Sequence, residues 1–427
     1  MKKNILVFPC GTEIANEIIN SLEDHKYFEL FFASSVEKSF CSFRSKPISQ
    51  LPFVDHEGFM DDLTELVEKN NIDYIIPAHD DVAYALSRIK EIGSCKVIGQ
   101  SSRVNDIVRF KDKTYEFFKN ELPIADIYED IKTENFPVFV KPIKGQGAYN
   151  AYSLESMEAY TVFFSQHNRD EFIVMEELTG DEFTIDCFSD CGEVLYAGAR
   201  TREKTTKGIS VITSFISDQN LNHEFEKYAD IISRKLGMHG IWFFQMKYDK
   251  SNNLKLLEVG PRIPGSMVLN RARGINFAEL AIYQAIGMSV KVVYNNIDIS
   301  LGRALACRFK HNIDFDSLYI DFDDTLFLDE KRINSKLVRL IFDFKNQDKK
   351  VYLITKNTKN NLTKTLHYFG ITNIFDDIIH LRENELKVDY MNNRSLLIDD
   401  SFQERKVAID YGHYAYGIDG IDVLLDT

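Results

Sequence analysis

Short apolar runs alternate with amphipathic helical stretches at both ends of this chain, and that alternation restricts its fold more than any other feature. Near the N-terminus, Asn4–Phe8, Tyr27–Ala33, Tyr74–Ile76 and Lys96–Ile98 read as strands. Between them, the stripe Ile14, Ile18, Ile19 and Leu22, then Phe59–Lys69 and Asp81–Ile89, read as helices. Strands separated by helices imply a parallel sheet covered on both faces. In such sheets ligands gather beyond the C-terminal ends of the strands. Gly11, Pro77 and the pair Asp80-Asp81 occupy those edges.

The pattern changes at about residue 101. A helical stretch, Asn105–Lys119, precedes longer strands of antiparallel character: Val138–Lys141, Phe172–Glu176, Glu182–Phe188, Val194–Thr201, Trp242–Asp249 and Lys255–Val259. Arg308–Phe315 reads as a linker, and from Ser317 the α/β alternation resumes. The expectation is an α/β and α+β multidomain chain with units at 1–100, 101–312 and 313–427, within the range that 427 residues allow.

The formal net charge of -14 argues against nucleic-acid and anionic-membrane partners. It is spread along the chain: residues 313–427 hold 21 Asp+Glu against 15 Lys+Arg. Binding an anionic ligand therefore requires local Lys, Arg or metal. The six cysteines show no zinc spacing and fit reduced thiols in a cytoplasm. The apolar run at Ile5–Phe8 is too short for an export signal, and no run approaches the ~18 residues of a membrane span.

The central region carries its chemistry in separated pieces. A strand delivers Lys141 and is followed by Lys144-Gly145-Gln146-Gly147-Ala148, a loop whose backbone N–H groups can wrap phosphate oxygens. Downstream, the extended stretch at Glu176-Glu177-Leu178 can read an adenine edge, and a carboxylate can hold ribose hydroxyls. Gln245 and Glu258 lie on successive strands, where two oxygen ligands can meet Mg²⁺. Arg262 supplies a permanent cation for a phosphate in transfer. Arg200 to Gly208 is a basic, glycine-ended loop in an acidic protein, and Arg271 and Arg273 follow Arg262.

In this order the pieces resemble the ATP-grasp superfamily, particularly its carbamoyl-phosphate-synthase-like and carboxylate–amine ligase branch, over about residues 1–305. The resemblance implies a pre-ATP-grasp α/β domain, an ATP-grasp fold, and ATP with Mg²⁺. It makes Lys113 of Asp112-Lys113 and Lys141 the phosphate-binding lysines, and Gly145, Gln146 and Gly147 the lid. Glu176, Glu177 and Leu178 become the adenine hinge, Glu182 the ribose ligand, Gln245 and Glu258 the metal ligands, and Arg262 the catalytic cation. In related enzymes, positions like Arg200, Arg202, Lys207 and Arg271 often face a carboxylate substrate. The sequence departs from the family's Glu-x-Asn-Pro-Arg at its third position, which is Gly260, so one metal ligand is missing. Related enzymes often dimerise, which makes a homodimer a candidate assembly.

A second constellation begins at Leu318. The apolar strand ends in Asp321-Phe322-Asp323-Asp324-Thr325, carboxylates that repel one another unless a cation joins them. Lys350–Ile354 leads to Thr355, Leu396–Ile398 leads to Asp399-Asp400, and Lys387 lies before the latter. These signatures resemble the haloacid-dehalogenase-like (HAD) phosphatases over about residues 316–427. The resemblance implies a Rossmannoid α/β domain in which Asp321 is the nucleophile and Asp323 the acid–base. Thr355 and Lys387 would hold phosphate, and Asp321, Asp323, Asp399 and Asp400 would hold Mg²⁺. One helix, Asp329–Asn346, and a second, Lys359–Phe369, fill the intervals, which leaves no room for a cap domain.

Together these readings describe a cytoplasmic bifunctional enzyme that joins a small-molecule carboxylate to an amine and hydrolyses a phosphoester. Two alternatives stay open: an ATP-grasp small-molecule kinase with a phosphatase, and an ATP-binding scaffold that regulates the phosphatase.

Overall fold

The computed structural model describes residues 2–89, 92–145, 149–357, 359 and 361–425. The chain divides into two compact units, Met1–Ser42 with Lys46–Ala306, and Phe43–Ser45 with Cys307–Thr427.

The first unit opens with five parallel strands in the order β3-β2-β1-β4-β5. They are β1 (Lys3–Phe8), β2 (Phe28–Ser34), β3 (Ile48–Gln50), β4 (Tyr74–Pro77) and β5 (Lys96–Val97). Successive residues of β1 serve opposite faces. Ile5 and Val7 enter one core, and Leu6 and Phe8 another, so the sheet is buried on both sides. The first of these cores also contains Phe188, Tyr196, Ile241 and Phe277, so the parallel sheet and the later strands share one hydrophobic interior.

The expected helix over Asn105–Lys119 is two helices, Ser102–Val108 and Lys111–Phe118. Phe110 is extended, and the Thr114 hydroxyl reaches back to the carbonyls of Ile107 and Phe110 (3.0 Å each). A side chain thus bonds the carbonyl groups at the break.

Three antiparallel sheets follow. β6 (Val138–Pro142) lies between β7 (Tyr152–Leu154) and β8 (Phe172–Glu176). The hairpin β9 (Glu182–Asp190) and β10 (Glu193–Thr201) leads into β11 (Lys204–Thr206) and β12 (Ile209–Ser214). β13 (Gly240–Tyr248) and β14 (Leu254–Gly260) complete the sheet β10-β9-β13-β14, and β15 (Ser300–Gly302) completes β11-β12-β15. The helix Gln219–Leu236 buries Phe225, Ala229, Ile232 and Leu236 in the same core as Trp242, Phe244 and Met246 of β13. Strand alternation then turns Phe243 and Gln245 to the other face.

The second unit is a parallel sheet in the order β20-β19-β16-β21-β22, built from β16 (Ser317–Ile320), β19 (Lys350–Thr355), β20 (Asp377–His380), β21 (Ser395–Ile398) and β22 (Tyr414–Tyr416). A small hairpin, β17 (Phe327–Leu328) with β18 (Arg332–Ile333), follows β16. The helix expected from Asp329 therefore starts later, at Ser335, and runs to Lys345. Asp329 and Glu330 both adopt positive φ (52° and 53°), which turns the hairpin and is incompatible with a helix there. Among the described residues no helix is long and apolar enough to cross a membrane.

Candidate functional site

In the first unit the strands converge on a cleft. Val138 and Val140 of β6 point into a core, so Phe139 and Lys141 point the other way, into the cleft. Lys141 is buried; its Nζ donates to Tyr115 Oη (2.5 Å) and to the Leu257 carbonyl (3.5 Å). No carboxylate among the described residues forms an ion pair with it. Burial pushes its ammonium down to about 8, against the pull of Glu258 and Glu182.

Gln245 and Glu258 are direct cross-strand partners. Just beyond them the register slips, so that Met246 pairs with Leu256 and Leu257 is left over. This bulge turns both Leu257 and Glu258 towards the cleft. The Gln245 amide is satisfied when its nitrogen donates to Glu258 Oε1 (3.2 Å) and its oxygen accepts from Arg202 Nη1 (3.1 Å). Arg202 Nε also lies 2.5 Å from Glu182 Oε1.

Glu176, Leu178 and Glu182 line the same cleft, as does Gly145. Glu177 is half-buried and does not line it. Gln146 and Gly147 lie outside the described residues. Lys113 does not line the cleft: it is exposed, with its ammonium 4.5 Å from the centre of the Phe110 ring. Lys111 lines the cleft instead, and its Nζ donates to the Gly145 carbonyl (3.0 Å). Burial lowers its ammonium as well. The helix phase explains the exchange. Lys111 shares a stripe with the buried residues Thr114, Tyr115 and Phe118, and a residue two positions on points roughly opposite.

Arg200, Arg202, Lys207, Arg262 and Arg303 line an adjoining chamber that shares Gln245 and Glu258 with the cleft. Arg200 is 1% exposed. Its Nε and Nη2 donate to Asp186 (2.9 and 3.3 Å), while its Nη1 has no hydrogen-bond partner among the described residues. A buried guanidinium with one unused donor fits an anionic ligand. Arg262 is gripped by Asp80, whose Oδ2 accepts from Nη2 at 3.0 Å. Arg271 is not part of this chamber. It sits on the helix Val268–Ala272 with its Nε donating to Glu17 (2.9 Å), because the helix carries it away from the strand end that holds Arg262.

At Gly260 the space for a side chain is filled. Gly260 pairs with Phe243, and a Cβ at this position would run into the Phe243 ring. An asparagine at this position therefore has no room while Phe243 keeps its place.

The second unit gathers its carboxylates at the C-terminal ends of β16 and β21. Lys387 Nζ donates to Asp321 Oδ1 (2.5 Å) and Asp399 Oδ2 (2.6 Å), and all three residues are buried. Ligand oxygens of Asp321, Asp399 and Asp400 lie within 4.8 Å of one another. Asp323 stands outside that trio. Its two oxygens accept from Asn357 Nδ2 (3.0 and 2.9 Å). Thr355 Oγ1 accepts from the Asn357 N–H (3.0 Å), and Thr325 Oγ1 accepts from the Asp400 N–H (3.0 Å). Burial pushes the Asp321 carboxyl up to about 7, with Asp399 and Asp400 adding to the rise and Lys387 opposing it. Asp399 is raised by burial too. One lysine does not offset three crowded carboxylates, and a divalent cation fits the remaining deficit. Asp190, Cys191 and His239 form a second, mostly exposed grouping of ligand atoms, at the β9–β10 turn.

Asn357 and Lys111 were not expected at these sites. Asn357 follows Thr355 at the end of β19, where residues beyond a strand tip face the ligand edge, and that placement is its sequence signal.

Comparison with known proteins bears on the first unit. A family model described as ATP-grasp in the biosynthetic pathway with Ter operon matches residues 168–302. The multidomain α/β architecture is consistent with the ATP-grasp fold. Among solved structures, the chain is similar to Campylobacter jejuni biotin carboxylase in a β,γ-ATP complex, at 14% identity and a TM-score of 0.55, over 68% of this chain and 72% of that one. It is similar to the L-amino acid ligase of Bacillus licheniformis at 19% identity and a TM-score of 0.53, over 67% and 74%. It is also similar to Rhizobium etli pyruvate carboxylase at 15% identity and a TM-score of 0.56, over 68% of this chain but only 29% of that enzyme. No curated protein matches the sequence.

Proposed function

We propose that the chain is a bifunctional cytoplasmic enzyme. Residues 1–100 and 101–312 form an ATP- and Mg²⁺-dependent carboxylate–amine ligase, and residues 313–427 form a capless HAD-type phosphatase. One observation carries the ligase reading. An unpaired buried lysine and a cross-strand Gln245–Glu258 pair border a cationic chamber in which Arg200 keeps a free donor. The fold shared with an amino-acid ligase supports it.

In this reading Lys141 and Lys111 hold phosphate oxygens, Glu176 to Leu178 take the adenine, and Glu182 takes the ribose. The acid's carboxylate, held by Arg200, Arg202 and Lys207, attacks the γ-phosphorus, and the bond to ADP breaks. Arg262 balances the charge on the phosphoryl group. The amine nitrogen then attacks the acyl carbon, loses a proton, and phosphate leaves. Glu258 and Gln245 would hold Mg²⁺, which supplies charge neutralisation at the phosphates. A site with so few protein ligands suits Mg²⁺, which keeps several waters.

In the second unit Asp321 attacks the phosphorus of a phosphoester, and Asp323 protonates the departing alkoxide. Asp323 then removes a proton from the water that cleaves the aspartyl phosphate. Thr355 and Lys387 orient the phosphate oxygens. Asp321, Asp399 and Asp400 would hold Mg²⁺, which offsets their mutual repulsion.

The purified protein is expected to release ADP and phosphate only when a suitable acid and amine are both present. ATP turnover indifferent to either would sink the ligase reading. Asp321→Asn is expected to abolish p-nitrophenyl phosphate hydrolysis and leave ATP binding intact; retained hydrolysis would contradict the phosphatase assignment. Gly260 favours a second reading, an ATP-binding scaffold that regulates the phosphatase. Absence of any ATPase, with normal phosphoester hydrolysis in Glu258→Ala, would support it.

A further inference from the structure

A second cavity opens beyond the C-terminal edge of the parallel sheet. It measures about 910 Å³, large enough for a drug-sized organic body. Its walls include Val36, Phe53, Val54, Phe59, Met60 and Ile89. Phe53 and Val36 are 61% and 51% exposed, so apolar side chains face solvent at the mouth of the cavity. Asp55, Asp81, Arg88 and Lys144 also line the cavity, but Asp81 pairs with Arg109 and Lys144 (2.8 and 3.1 Å) and Arg88 pairs with Asp106, so the wall left for a ligand is mostly apolar and suits neither the nucleotide nor the transferring phosphate.

The cavity neighbours the cationic chamber. Thr12 and His79 line both. Thr12 is fixed there: its Oγ1 accepts the Ala15 N–H as the cap of the helix Glu13–Leu22 and donates to the Ala78 carbonyl, both at 3.0 Å. His79 caps the helix Asp80–Leu86, its Nδ1 accepting the Asp81 N–H (3.2 Å). These two helix caps therefore form a fixed wall along which one molecule can extend from cation to apolar pocket.

We propose that the acid substrate is a carboxylate with a bulky apolar, preferably aromatic, body. Its carboxylate meets the unused Arg200 donor, and its body passes Thr12 and His79 into the cavity walled by Phe53 and Val36. This inference rests on the ligase reading and deepens it. It places specificity for the acid on the parallel-sheet segment, not on the strands that bind nucleotide.

The test uses the full-length protein with ATP, Mg²⁺ and hydroxylamine, which captures an activated acyl group as a hydroxamate. The hydroxylamine nitrogen bonds to the acyl carbon and phosphate leaves. Naphthylacetate is expected to outperform acetate by roughly 10- to 100-fold in kcat/KM, the range for burying a large apolar group. Phe53→Asp and Val36→Asp, both at exposed positions, are expected to erase that advantage. Direct binding of naphthylacetate is measured in parallel by calorimetry. Equal rates with the two acids, or loss of both rates in the variants, would overturn the cavity assignment while the ligase reading stands. Naphthylacetate binding that is lost in both variants, with no hydroxamate from any acid, would keep the cavity and remove the ligase reading. No binding and no selectivity would remove the proposal outright.

Discussion

Lys141→Met separates what the cleft does for the ligand from what it does to the fold. The lysine is buried with no ion pair among the described residues, and its ammonium is displaced from 10.5 to about 8. At roughly 1.4 kcal/mol per pKa unit, holding the charge in place at neutral pH costs about 3 kcal/mol of folding stability. Methionine has a similar length and no charge. Removing the lysine loses its bond to Tyr115, worth about 1 kcal/mol. Tyr115 itself stays satisfied, because its hydroxyl still donates to the Leu257 carbonyl (2.7 Å). The variant is thus expected to be more stable by about 2 kcal/mol at pH 7 and to bind ATP roughly 10- to 100-fold more weakly. The gain has a defined pH course. Below about pH 8 both native and unfolded wild type carry the proton, and the penalty is complete. Between about 8 and 10.5 the native state sheds it first, so wild-type stability rises with pH and the advantage of the variant shrinks. Urea unfolding at pH 7 and pH 9.5, with ATP calorimetry at pH 7, measures all three quantities. A destabilised variant that still binds ATP normally would refute the reasoning.

Three further outcomes follow from the geometry. Lys111→Ala is expected to weaken ATP binding roughly tenfold or more, while Lys113→Ala changes it little; calorimetry on the pair decides between them. Asn357→Ala, which strips both hydrogen bonds from Asp323, is expected to lower kcat for p-nitrophenyl phosphate by about tenfold with KM little changed. For the metal-free protein, the raised Asp321 carboxyl predicts a loss of stability in the second unit as pH rises from about 4 through 7. Over that window the native state retains a proton that the unfolded state releases. Mg²⁺ is expected to flatten that dependence, as read by urea midpoints of unfolding at pH 5 and pH 8.

How much of this was legible in the sequence depends on what each signal encodes. The strands around Lys141, Gln245 and Glu258 announce themselves through alternation, and period-two patterns carry over directly into which face a residue occupies. The helix Phe59–Lys69 was readable to the residue for the same reason at a different period. The choice between Lys111 and Lys113 was also present, because only the former lies in phase with Thr114, Tyr115 and Phe118. A dipeptide match overrode that phase. The bulge at Leu257 was not readable, since it is a register event between two strands and leaves no mark on either alone. The same holds for Arg271, whose partner Glu17 is distant in sequence. The hairpin at Phe327–Ile333 replaced the start of a helix because Asp329 and Glu330 take left-handed conformations that composition did not advertise.

The pairing of Gly260 with Phe243 has a consequence for how this cleft could be rewritten. An asparagine at position 260 has no accessible volume while the phenyl ring stands opposite, so that replacement by itself is blocked sterically. Shrinking Phe243 first removes the obstacle, at the cost of a void beside Arg262, whose guanidinium lies 5.5 Å from the ring centre. The two positions behave as one coupled unit in which the order of changes matters. A side chain at position 260 is therefore gained only together with a change in the ring that packs against Arg262.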